Sequence, residues 1–374
     1  GSAAAATVTT LDTSGAVNLN LTTDSTSSTS GALIVDGGVG IAKKLFVGTD
    51  LDVDGTSNLD VIDVDGAANF AADVTIATGA DLLTASAGTD NVRIGLDAGD
   101  SIASGGLRNI LIGRNAGTAI TTGDSNIAIG WEALKTEDAN GNNVAIGASA
   151  LATQNAGADA YNVGIGYNAG TAVTTGTKNV VVGGLALDAA DTGQENTAIG
   201  HQALTADTKG NRNVAVGAGT LVTQNFTTAT SSYNTAVGYS AGNAVTTGTE
   251  NTLIGALAGD ALTDVDYNTA IGKSALSTDT LGSKSTALGA YALQTQNFTT
   301  ATDSHNTAIG NNAGGAVTTG TSNTLIGSLA GDALTDADFN IAIGVNSLTS
   351  DTLGSRSVAI GMGTLQTQNF TTAT

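Results

Sequence analysis

Asn126-Ile127-Ala128-Ile129-Gly130 recurs at a 17-residue spacing as Asn143-Val144-Ala145-Ile146-Gly147, and this short block sets the architecture. A helix needs apolar residues at a spacing of about 3.6 over ten or more positions. Here each apolar run spans about five residues and stops at glycine, as a short strand does when it enters a bend. The block closes sixteen times: at Gly95, Gly113, Gly130, Gly147, Gly166, Gly183, Gly200, Gly217, Gly238, Gly255, Gly272, Gly289, Gly310, Gly327, Gly344 and Gly361. A 17-residue interval is the commonest, and longer 21-residue intervals precede Gly238 and Gly310, so four short units form a 72-residue super-repeat. Residues 231–302 and 303–374 align without a gap. Such nested repetition marks a structure in which each unit buries its surface against the next.

Within a block the large residues alternate with a small one, as in Val144-Ala145-Ile146, which places them on opposite faces of a strand. The expectation is that Val and Ile fill the core while the Ala face lies outside and permits close approach of another chain. Asparagine stands four positions before the glycine at Asn126, Asn143, Asn162, Asn179, Asn196, Asn213, Asn234, Asn251, Asn268, Asn306, Asn323 and Asn340, with serine at Ser285 and Ser357. Stacked at equivalent corners, these side chains are expected to bond one another and nearby backbone as a structural ladder. Each coil is expected to hold two short strands and two turns. The fold class that follows is all-β: a parallel β-solenoid or β-roll of about sixteen 17-residue coils, on the order of 75–80 Å tall at about 4.8 Å per coil. A rod this thin gains from wrapping with copies of itself, so an intertwined homotrimeric fibre is expected.

Composition points the same way. Aromatic residues make up 3% of 374 residues, and the 41% hydrophobic content is mainly Ala, Val, Ile and Leu, which suits thin layers. The net charge of −21 repels nucleic acid. Cysteine is absent, which removes disulfides and thiolate metal sites. No apolar run approaches the ~20 residues of a spanning helix, so membrane insertion is not expected. The opening Gly1-Ser2-Ala3-Ala4-Ala5-Ala6 lacks the regions of a signal peptide and reads as a cloning remnant or the start of an excised fragment.

Three segments are expected. Residues 1–30 form an N-terminal strand and a Ser/Thr-rich linker, and residues 31–90 a shaft of short strands with alternation such as Leu51-Asp52-Val53-Asp54-Gly55. Residues 91–374 form the solenoid, with super-repeats near 91–161, 162–233, 234–305 and 306–374.

Ser357-Val358-Ala359-Ile360-Gly361 and its Asn-headed relatives resemble the head repeat of trimeric autotransporter adhesins of the YadA-like kind. That resemblance implies a left-handed parallel β-roll with three chains to a head, although the 17-residue period here is longer than is usual in that family. The stretch Gly31-Ala32-Leu33-Ile34-Val35-Asp36-Gly37-Gly38-Val39-Gly40, continuing through Lys43-Lys44-Leu45-Phe46-Val47-Gly48, resembles a module of bacteriophage tail fibre proteins. Together the two imply a viral tail fibre segment, located in the extracellular virion tail, that spaces and supports host-receptor attachment. Its partners would be itself as a homotrimer, other virion tail components, and a host cell-surface glycan or protein. The alternatives are the head of a bacterial cell-surface adhesin and, more weakly, a tailspike-type polysaccharide-degrading enzyme.

No catalytic, metal or cofactor site is expected from the residues. The turn Gly37-Gly38-Val39-Gly40 lacks the spacing of a phosphate loop. A glycosidase needs two carboxylates across a cleft, and glutamate occurs only at Glu132, Glu137, Glu195 and Glu250. Asp260, Asp264 and Asp266, with their copies Asp332, Asp336 and Asp338, are solvated turns or cation ligands. His201 and His305 read as surface residues, and Trp131 as packing under a turn or stacking on a ligand. The motif Thr-Gln-Asn-Phe recurs in the longer coils, and its Phe226, Phe298 and Phe370 are expected either to bury against a neighbouring chain or to form a glycan-contact ridge.

Overall fold

The computed structural model describes residues 87–372 together with Val39, Ile41, Lys44, Leu45 and Val47. The chain divides into two compact units, Gly1–Thr75 and Ile76–Thr374. The expected segment 1–30 and nearly all of 31–90 lie outside the described residues. The solenoid belongs to the second unit.

Sixteen three-residue strands, from Val92–Ile94 to Val358–Ile360, form one parallel sheet in chain order. This is the expected all-β parallel solenoid of about sixteen turns. Pairing keeps the repeat phase: Thr235, Thr252, Thr269 and Thr286 stand opposite one another along the stack. The longer coils do not disturb it, because Thr235 still pairs with Val214 across a 21-residue interval. Their extra residues are accommodated elsewhere, beside a second short pairing of Gly210–Asn211 with Thr230–Ser231. An equivalent pairing joins Gly282–Ser283 to Thr302–Asp303. Elsewhere a coil contributes one strand to a sheet, not the two expected. The rest of the coil turns too often for a ladder to form. Left-handed backbone recurs at Leu134, Leu151 and Leu221, with φ of 48°, 47° and 48°. Each such non-glycine residue costs roughly 1–2 kcal/mol. Hydrogen bonds to the next coil offset that cost, as when Leu134 N–H donates to the Ala150 carbonyl at 3.0 Å and Leu221 N–H to Ala241 at 3.2 Å.

The faces of the strand are inverted relative to expectation. The central small residue of each strand points inward: Ala128, Ala145, Ala236 and Ala270 are fully buried, while Val and Ile on either side are half-buried or exposed. The bore is the reason, since it is narrow and large side chains entering it from the turns leave the strand centre room for a small one in most coils. In the coil of Ala270 the strand supplies Ala and the turn a buried Leu276, whereas at Ala236 and Gly242 both are small and Leu221 and Leu253 of the adjacent coils reach in, 2.9 and 2.7 Å from a Cβ added to Gly242. Where the strand supplies Leu253, the turn carries Gly259, and a Cβ added to Gly259 would lie 2.8 Å from Leu253 Cδ2. Leu325 and Gly331 repeat that exchange at 2.7 Å. The filling is shared between neighbouring coils, so volume is conserved along the stack and not within every coil.

The glycine closing each block forms a column of close backbone approach. At Gly238, φ is +136° and an added Cβ would lie 2.5 Å from the Gly255 carbonyl oxygen. Gly238→Ala therefore incurs both backbone strain, about 1–3 kcal/mol, and separation of two coils. Gly157 has φ +70° with open space around its Cβ position, so Gly157→Ala retains only the strain. Urea unfolding of the two variants should show the larger loss at Gly238; equal losses would remove the close-approach explanation.

Candidate interaction surfaces

Two polar columns run inside the coils and two uncommitted surfaces run outside. The twelve ladder asparagines, Asn126 through Asn340, stand in one column and are 0–1% exposed. Their amide oxygens accept the backbone N–H of the corner residue one coil later, as in Asn126 to Asn109 at 2.9 Å, Asn251 to Asn234 at 2.9 Å and Asn340 to Asn323 at 2.9 Å. Their amide nitrogens donate to a carbonyl across the coil, as Asn234 does to Gly248 at 2.7 Å and Asn340 to Gly354 at 2.9 Å. Each side chain thus braces a coil along the stack and across it. At Ser285 the shorter side chain meets Gln296 Nε2 at 2.8 Å, and at Ser357 it meets Gln368 Nε2 at 3.1 Å.

Those glutamines belong to a second interior column, which sequence reasoning missed. Asn234 Nδ2 donates to Gln224 Oε1 at 2.9 Å, and Gln224 Nε2 donates to Asp207 Oδ2 at 2.7 Å. Asn306, Gln296 and Asp279 repeat the relay, and Asn162, Gln154 and Glu137 form its earlier version. The signal was the 72-residue recurrence of Asp207, Asp279 and Asp351 beside Gln224, Gln296 and Gln368. Burial raises the Asp207 carboxyl above its ordinary 3.8, against the lowering effect of its bonds from Gln224 and the Gly210 and Phe226 backbone.

The same carboxylates position the phenylalanines. Phe226 and Phe298 donate backbone N–H to Asp207 and Asp279, at 3.4 and 3.3 Å. Their rings are 6% and 5% exposed in the single chain, so the chain itself covers them. Glycine makes the space, since a Cβ added to Gly282 would lie 2.8 Å from Phe298 Cδ2. Phe370, in the last coil, packs on Gly354 in the same way and is 42% exposed.

The other candidates do not converge. Asp264 and Asp336 accept from Thr247 and Thr319, and Asp266 and Asp338 from Thr249 and Thr321, all one coil earlier. Asp260 Oδ1 has no hydrogen-bond partner, and burial raises that carboxyl. Among the described residues no three His, Cys, Asp or Glu side chains are grouped to hold a metal ion. Glu132 pairs with Lys135 at 3.2 Å, and Glu137 is engaged by Asn140 and Gln154. His201 and His305 are exposed. Trp131 is half exposed and is not packed under a turn. Among the described residues no helix is long and apolar enough to cross a membrane.

Outside, the thirty-two flanking positions of the sixteen three-residue strands are all Val, Ile, Leu or Thr. Beside that stripe, the residues immediately before the ladder column include the exposed rings of Tyr161, Tyr233, Tyr267 and Phe339. Arg212 and Arg356 lie over Tyr233 and Phe339, each 5.7 Å from the ring centroid.

Asn234→Ala would orphan the Asn251 N–H, the Gly248 carbonyl and Gln224 Oε1 inside the coil, at roughly 1–3 kcal/mol per group. A loss of at least about 2 kcal/mol in urea unfolding is expected, against little change for the exposed Thr228→Ala. For Asp207, the folded chain holds the proton more tightly than the unfolded chain does. Its contribution is therefore greatest below the ordinary value and is lost as pH rises through the elevated folded value. Melting temperatures of the parent and Asp207→Asn, followed from about pH 3 to pH 7, should show the parent losing stability relative to the variant as pH rises.

No protein-family model, curated protein or solved structure matches this chain.

Proposed function

We propose that this chain is a non-catalytic structural and adhesive fibre segment that associates with copies of itself through the outward stripe of the sheet. The observation that carries the reading is the absence of charge from all thirty-two outward strand positions of a chain whose net charge is −21. Two positions per strand over sixteen strands cover roughly 75 Å by 7 Å, or about 500 Å², the upper range of what monomers leave bare. A mutually repelling polyanion can approach its own copies where it carries no charge. Equal spacing of about 4.8 Å on every copy lets two such stripes interdigitate along their whole length.

The finer reading is a homotrimeric viral tail fibre segment, extracellular, that joins other tail components to a host-surface receptor. A regular backbone ladder supplies the stiffness and protease resistance such a spacer needs. The exposed aromatic column beside the stripe favours a second reading, in which the rod is itself the sticky head of a bacterial surface adhesin. In both readings catalysis plays no part, and no cofactor is required.

Light scattering should give about 109 kDa for three copies of the 36.4 kDa chain. Ile254→Glu combined with Ile271→Glu puts charge into the stripe and should return the mass to that of one chain with the circular dichroism unchanged. A parent chain that stays monomeric at high concentration would sink the self-association reading.

A further inference from the structure

The edge column holds chemistry that the rod does not need. At Lys178, Glu195, Arg212 and Tyr233 the backbone is left-handed, with φ of 60°, 57°, 61° and 50°, and all four residues are exposed. In three successive coils these positions close around a cleft of about 130 Å³ lined by Gln194, Glu195, Asn211, Arg212 and Ser231. Arg212 is its hub. Its Nε donates to Glu195 Oε2 at 2.9 Å, and its Nη1 to Ser231 Oγ at 2.7 Å and Tyr233 Oη at 3.2 Å. The guanidinium also lies over the Tyr233 ring, so the cleft is held in shape before any ligand arrives. Gln194 N–H donates to Asn211 Oδ1 at 2.8 Å, which orients the Asn211 amide.

The lining selects a class of ligand. Every wall residue is polar, so a lipid chain or an apolar peptide side chain has no surface to bury. Within the lining Glu195 pairs with Arg212 at 2.9 Å and neutralises it, while Lys178, 3.5 Å from the other Glu195 oxygen, stands outside the lining. The cleft then offers a mixed set of donors (Asn211 Nδ2, Gln194 Nε2) and acceptors (Glu195, Ser231), and Tyr233 outside the lining braces Arg212. A ring carrying adjacent hydroxyls, each both donor and acceptor, satisfies that set. The geometry points to a binding site for a neutral hexopyranose, the terminal or internal sugar of a surface glycan, at Gln194, Glu195, Asn211, Arg212 and Ser231, with Tyr233 positioning Arg212.

The 72-residue repeat isolates the site. Interior residues recur one super-repeat later, Asp207 as Asp279 and Gln224 as Gln296, but the cleft residues do not. Glu195, Arg212 and Tyr233 are replaced there by Tyr267, Lys284 and His305, and Lys284 instead pairs with Asp303. The inference rests on the attachment reading above and deepens it by giving it a ligand class and a place.

Saturation-transfer NMR on the full chain, with glucose, galactose, mannose and galacturonate as separate probes, tests it. At least one neutral hexose should receive saturation while galacturonate does not. Arg212→Ala and Tyr233→Ala should each weaken binding about tenfold or more, whereas Lys284→Ala at the equivalent position leaves it unchanged. Circular dichroism identifies the variants that keep the fold, and Asn211→Ala serves if Arg212→Ala does not. No saturation of any neutral hexose, binding that survives both substitutions, or equal binding of galacturonate would overturn the site. Light scattering on the same samples separates the two readings. A trimer that binds no sugar defeats this inference alone, and a sugar-binding monomer defeats the self-association reading alone.

Discussion

Each coil is tied to the next by a backbone N–H donated to an asparagine side chain one turn earlier, and the rest of the solenoid is arranged around that tie. The bond from Asn251 N to Asn234 Oδ1 fixes the height of one coil on another, while Asn234 Nδ2 reaches across to Gly248 and fixes the width. A coil held in both directions can tolerate left-handed leucines and four inserted residues without losing strand register. The polar column is enclosed, so water does not compete for these bonds, and a missing partner would be costly. That is why the two serine corners are met by glutamine from the neighbouring column.

The narrow bore that the tie enforces decides the remainder of the packing. In some coils Leu comes from the strand and Gly from the turn, as at Leu253 and Gly259, and in others Ala comes from the strand and Leu from the turn, as at Ala270 and Leu276, with neighbouring coils filling the remainder. Larger apolar residues have no place inside except where the coil lengthens. There Phe226 and Phe298 enter, Phe298 against Gly282, and each donates its backbone N–H to a buried aspartate. The longer coils therefore add buried rings to the interior while Thr227, Thr228 and Ala229 stay exposed.

Pushing Ala inward pushes Val, Ile and Thr outward, so the packing rule of the bore also creates the apolar stripe. Function in this molecule follows from what a thin core cannot hold. The stripe is uniform along the stack, with Val, Ile, Leu or Thr at every flanking strand position. The edge beside it changes from coil to coil, from Glu195 and Arg212 to Tyr267 and Lys284, and can carry recognition without disturbing the ladder.

The period, the parallel stacking and the position of the asparagine and glycine corners were legible in the amino-acid order, because they depend only on spacing along one chain. Asn126 and Asn143, at a 17-residue spacing before matching glycines, leave few other ways to close a coil. Which strand face is interior was settled by three-dimensional packing, since alternation in Val144-Ala145-Ile146 defines two faces and says nothing of the space available to either. Packing also settled that Phe226 is covered by its own chain and that Asp207, Gln224 and Asn234 form one relay. The cleft at Arg212 was illegible for the same reason. Its walls come from separate coils that meet only on stacking, and no local pattern in the chain records that meeting.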